Sequence, residues 1–133
     1  MEKMYPCLDS HAQFDYPEDG LVHLRDFVRD DELRCPTTLD ENGLECLIII
    51  KNGTSTGLAF GRVAGNRSFT RTYQDYKVDS TLMEITTYPY SHKDGAFAAL
   101  VDSGAVVADA NNRIVGILTG GAGVNESTDV TYI

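Results

Sequence analysis

The stretch from residue 45 to residue 63, "ECLIIIKNGTSTGLAFGRV", decides how the rest of the chain is read. It reads as a strand, a turn at Asn52-Gly53 and a second strand, because Asn and Gly accept the positive φ angles that a tight hairpin turn demands. The same punctuation continues downstream, where β-branched and aromatic runs alternate with Gly, Asn and Asp at short intervals. "SFTRTYQDY" (68–76) places Phe69, Arg71 and Tyr73 on one face and Thr70 and Thr72 on the other. "TLMEITTYPY" (81–90) is a further strand, which Pro89 stops. "GAVVADANNRIVGILTGG" (104–121) is a second hairpin turned around Ala110 to Asn112, and "TDVTYI" (128–133) is a last short strand. About six short strands without βαβ alternation predict an all-β chain, an antiparallel barrel or sandwich.

Upstream the signal is weaker. Residues 1–20 carry Pro6, Pro17 and Gly20 without periodicity and read as an irregular lead-in. Leu21, Leu24, Phe27 and Val28 fit a helical stripe, whereas the pairs Leu21-Val22 and Phe27-Val28 also suit a short strand, so both remain open. "RDDELR" (29–34) reads as a solvated charge run without functional weight. The expected organisation is a lead-in with a short helix or strand over 1–43 and an antiparallel β half-barrel domain over 44–133.

Composition bounds the function classes. The chain has 133 residues, enough for one domain, with 42% hydrophobic and 23% charged residues, an ordinary globular balance. A net charge of -9, from 20 acidic against 11 basic residues, opposes attraction to phosphate and argues against nucleic acid and anionic membranes as partners. The apolar run Cys46 to Ile50 falls far short of the ~20 residues needed to cross a bilayer. The first twenty residues show no apolar core of a secretory signal. Cys7, Cys35 and Cys46 form neither a CxxC pair nor an even framework, which fits reduced thiols in an intracellular, cytoplasmic protein. No metal-ligand cluster or cofactor motif stands out, so neither metal nor cofactor is expected. "GGAGVN" (120–125) lacks the Lys-Ser/Thr ending of a phosphate loop, and the sequons at Asn52, Asn66 and Asn125 mean little without secretion.

The remaining chemistry lies in the Asp102-Ser103-Gly104 corner. Taken alone it is an ordinary turn, since Asp and Ser cap local amides and Gly supplies unusual dihedrals. Its context is "KDGAFAALV" before it, then an apolar strand, a polar hairpin and a strand ending at Gly120-Gly121. That arrangement resembles the trypsin-like (chymotrypsin-fold) serine peptidases. "CLIIIKNGTSTGLAFGR", "DSGAVVADANNRIVGILTGGAG" and "STDVTY" are most similar to the C-terminal part of intracellular fungal trypsin-like peptidase-domain proteins, over roughly residues 20–133. The resemblance implies Ser103 as nucleophile and Asp102 as the buried aspartate supporting it. It implies the Val101 and Ser103 amides as an oxyanion hole, and Thr119, Gly120 and Gly121 as the strand along which a peptide pairs. Phe97 would lie near the base of the primary specificity pocket, where no acid implies a basic preference.

Two departures predict a catalytically incomplete, peptidase-like pseudoenzyme. Val101 stands where the family has glycine, which either strains the backbone or turns the amide away. The family's catalytic His and Asp come from an N-terminal barrel upstream of everything that matches here. His11, His23 and His92 are the candidate bases, and each reads more simply as a loop or surface histidine. The competing expectation is a non-enzymatic β domain that docks through an exposed apolar face onto a protein or peptide, a second copy, or a separate N-terminal barrel. A truncated coding sequence is the third.

Overall fold

A computed structural model of the chain describes residues 18–40, 42–91, 93–122 and 130–133. Within them the chain runs β1 (Asp26–Phe27), α1 (Asp30–Arg34), β2 (Leu47–Gly53), β3 (Gly57–Gln74), β4 (Lys77–Pro89), β5 (Val106–Asp109), β6 (Arg113–Ile117), β7 (Gly120–Ala122) and β8 (Val130–Tyr132). The all-β expectation holds, with eight strands in place of about six. They form one sheet in the order β1-β6-β5-β2-β3-β4-β8-β7, antiparallel except where β1 runs parallel to β6.

Residues 47–51 form a strand without alternation because both of its faces are covered. Ile49 points into a core with Val63, Phe97, Ala98, Val107, Val115 and Leu118. Ile48 and Ile50 point the other way, onto Cys46 and Ala108. Val28 and Leu33 also enter the first cluster, so residues 21–33 supply both a short strand and a helix that buries one leucine. The "RDDELR" run is α1, and it is more than a solvated surface. Arg113 Nη1 donates to both Glu32 carboxylate oxygens at 2.9 and 3.0 Å, while Arg113 Nε donates to Asp109 at 2.9 Å. The Arg113 guanidinium thereby holds the Glu32 carboxyl below its ordinary range and ties α1 to the β5–β6 hairpin.

Two turn readings are corrected. Asn52 pairs with Leu58 and Gly53 with Gly57, so the β2–β3 turn is Thr54-Ser55-Thr56, not Asn52-Gly53. The strands read at 57–63 and from 68 onward are one strand, β3, with an irregularity between Val63 and Arg67. β3 then turns into β4 at Asp75 and Tyr76, both at positive φ (48° and 63°), the two-residue geometry of a primed hairpin turn. The β5–β6 turn falls at Ala110 to Asn112 and β4 ends at Pro89, as expected.

The expected barrel is realised as a sheet whose ladder does not close into a ring. β6 and β7 lie toward opposite ends of the strand order, yet only Leu118 and Thr119 separate them in the chain. Consecutive Cα atoms are ~3.8 Å apart, so three peptide steps keep Ile117 and Gly120 within roughly 11 Å of each other. The sheet must therefore curl until its flanks meet. Backbone bonds pin the junction on both sides: the Leu118 N–H donates to the Ala105 carbonyl at 3.0 Å and the Thr119 N–H to the Tyr132 carbonyl at 2.9 Å. The serine corner lies against this junction.

Candidate functional site: the serine corner

The site begins with a lysine inside an apolar strand. Lys51 belongs to β2, flanked by Ala59 of β3 and Val107 of β5, and its side chain is fully buried. Its ammonium lies 3.0 Å from Asp102 Oδ2, donates to the Thr56 hydroxyl, and stands 5.6 Å from the centre of the Phe97 ring. Asp102 is equally buried and collects further donors. Oδ1 accepts the Ser55 N–H at 2.7 Å and the Thr56 N–H at 3.3 Å; Oδ2 accepts the Thr56 hydroxyl at 2.7 Å and the Ala99 N–H at 3.0 Å. Burial alone would raise the Asp102 carboxyl, but the Thr56 hydroxyl, the Ala99 and Ser55 amides and Lys51 together hold it well below the usual carboxylate range.

This cradle explains Gly53. A Cβ there would lie 2.7 Å from Lys51 Nζ and closer still to the Asp102 carboxylate, nearer than real contacts allow. The glycine that reads as a hairpin turn is required instead by the approach of an ion pair.

With Asp102 fixed, the corner around it has one shape. The Asp102 N–H donates to the Ala99 carbonyl at 3.2 Å, the Ala105 N–H to the Asp102 carbonyl at 3.0 Å, and the Gly104 N–H to the Leu118 carbonyl at 2.8 Å. Among the described residues, the Val101 and Ser103 N–H groups donate to no acceptor. Val101 sits at φ 79°, in the left-handed region that a β-branched residue avoids, so of the two outcomes expected for it the backbone takes the strained one. That conformation costs on the order of 1–3 kcal/mol, which the buried cradle holds in place. The side chain of Val101 is largely exposed, so little burial is available to offset it.

Ser103 is exposed, and among the described residues its hydroxyl reaches only the Thr119 carbonyl, at 3.5 Å. A carbonyl accepts a hydrogen bond but is no general base. Asp102 faces away, into its own donors. His23 is exposed ahead of β1 and makes no hydrogen bond to Ser103; His11 and His92 lie outside the described residues. The fold therefore brings the exposed Ser103, the buried Asp102 carboxylate and two uncommitted amides into one corner, and among the described residues no imidazole joins them.

The proposed substrate-strand residues are also adjacent. Thr119 is exposed and leads into Gly120 and Gly121 of β7. β7 is the last strand of the sheet: β8 covers one edge, and among the described residues the other is unpaired. Phe97 is a core residue, its ring filling the notch left by Gly61. Sequence reasoning missed Lys51 and Thr56. Only Lys51 left a signal, as a charge directly after three isoleucines.

Among the described residues, no group of three His, Cys, Asp or Glu is arranged to hold a metal ion, and no helix is long and apolar enough to cross a membrane. Residues Gly123 to Asn125 of the glycine-rich loop, and Cys7, lie outside the described residues. No family model, no curated protein and no solved structure matches this chain.

Proposed function

We propose that this chain is a serine-peptidase-like β domain that receives an extended peptide along the free edge of β7, presents Ser103 to it, and leaves the bond intact. One observation carries the reading: a buried Asp102–Lys51 cradle fixes a corner whose Val101 and Ser103 amides are uncommitted beside an exposed serine. Two uncommitted N–H groups beside the serine leave donors available to negative charge, and an edge strand offers main-chain pairing to a peptide. Activation of the hydroxyl needs a base within about 3 Å, and a serine without one is a weak nucleophile near neutral pH. The free thiols of Cys35 and Cys46 support a reducing, cytoplasmic setting.

A fluorophosphonate probe tests this directly. Native protein is expected to label at the rate of heat-denatured protein and of Ser103→Ala. Val101→Gly relieves the strain but supplies no base, so it is expected to label equally slowly. Labelling at least ~10²-fold faster than the alanine variant would mean that a base reaches Ser103, and the inactive reading would fall.

A second reading, a non-enzymatic interaction domain, is favoured by the outer half of the β3–β4 ribbon. Phe69 and Met83 are cross-strand partners left 71% and 54% exposed, with Val78 and Leu82 exposed on the same ribbon. Exposed apolar groups of this kind mark contact surfaces, and a two-stranded ribbon is marginal alone. On this reading a second copy or a separate N-terminal barrel covers it. Light scattering across a concentration series is expected to show self-association that Phe69→Ser with Met83→Ser abolishes; a monomer throughout would remove self-association.

A further inference from the structure

Four carboxylates are buried among the described residues: Asp40, Glu84, Asp102 and Asp109. Three of them face a cation. Arg62 lies 3.0 Å from Asp40, Lys51 lies 3.0 Å from Asp102, and Arg113 lies 2.8 Å from Asp109. Glu84 faces none. Its oxygens accept only hydroxyls, from Thr119 at 2.5 Å and from Thr70. A carboxylate has room for about four hydrogen bonds, so acceptor capacity is left over, and a buried charge without its opposite is unfavourable until one arrives.

The position of Glu84 says where a cation would come from. It lies on β4, opposite Ser68 of β3, and its carboxyl reaches the side chain of Thr119. Thr119 is exposed, immediately precedes the unpaired edge of β7, and its carbonyl receives the Ser103 hydroxyl. In the sheet β8 lies between β4 and β7, but the orphan carboxylate touches Thr119, the residue that leads into the peptide-pairing edge and meets the serine hydroxyl. The net charge of -9 adds a long-range attraction for positive ligands.

Resting on the reading of β7 as a peptide-pairing edge, we infer that Glu84 is a specificity residue that receives an ammonium or guanidinium side chain of the bound peptide. The preferred ligand is then an extended segment carrying Lys or Arg. Selectivity comes from β4, not from the position of Phe97, where the family resemblance would look for it. Charge-assisted hydrogen bonds to a partly buried carboxylate discriminate strongly against a neutral isostere.

The test uses blocked pentapeptides Val-Thr-X-Thr-Val, with X as arginine, citrulline, lysine, norleucine or glutamate, titrated into isotopically labelled full-length protein by NMR. The arginine peptide is expected to bind at least about tenfold more tightly than its citrulline isostere, shifting the amides of Gly120, Gly121 and Ala122. Glu84→Gln keeps an oxygen for one hydroxyl and turns an amide N–H to the other, whose oxygen can accept it, so it is expected to bring the arginine-to-citrulline ratio to about one while those amides still respond. A merely structural Glu84 would weaken both peptides alike and leave the ratio unchanged, which overturns the inference, as does equal binding in the unaltered protein. Butylguanidinium alone separates the two layers. Shifts at Glu84 and Thr119 with β7 silent to every peptide would keep the cation site and sink the strand-pairing reading; silence to butylguanidinium and to every peptide sinks both.

Discussion

Lys51→Met is expected to lower the unfolding free energy by about 3–5 kcal/mol, because it leaves the Asp102 carboxylate buried without its cation. Asp102→Asn leaves the Lys51 ammonium with the Thr56 hydroxyl and the face of Phe97, and a loss of similar size is expected. Against a total of roughly 5–15 kcal/mol, either change removes a large share of the stability. The double variant is expected to lose less than the sum, since replacing both partners abandons no charge. Urea unfolding with an unchanged slope measures each value. Additive losses would mean that the two groups do not hold each other. Acid provides an independent check. The Asp102 carboxyl titrates below its ordinary value in the folded state, so its contribution is complete above the unfolded value of about 3.9 and is lost as pH falls further toward the folded value. Stability should therefore fall steeply on acidification below about pH 4, and Asp102→Asn should flatten its share of that fall.

Phe97→Ala is expected to be about as damaging, at roughly 3–5 kcal/mol, through an unrelated cause. The ring is buried, touches the backbone at Gly61, and forms one wall of the Lys51 chamber. Removing it leaves a void among Ile49, Val63 and Val107 that the rigid sheet cannot collapse into, and strips the ammonium of its aromatic face. Phe97→Leu keeps most of the volume and is expected to lose about half as much. Calorimetric melting of both variants decides it. A small loss in Phe97→Ala would place the ring in an open specificity pocket, as the family resemblance has it, instead of in the core.

The strands were legible wherever apolar runs met turn residues, and the reading failed where a residue served something distant. Asn52-Gly53 carries a strong local hairpin signal, yet Gly53 is needed by Asp102, 49 residues further on. Asp75-Tyr76 carries almost no turn signal, having no glycine, and still turns. Of the corner, Asp102, Ser103 and Val101 were visible as a motif. Glu84 was not, and Lys51 showed only as a charge after three isoleucines, because burial of a charge is decided by strands that meet only in the folded chain.

The junction at Leu118 and Thr119 constrains how this architecture can vary. A loop such as Asp75-Tyr76, at the far end of a ribbon, can lengthen without disturbing anything else. Two residues that span the seam between both flanks cannot. One extra residue there would swap the faces of β7, and would carry the serine's hydroxyl partner out of reach in the same stroke.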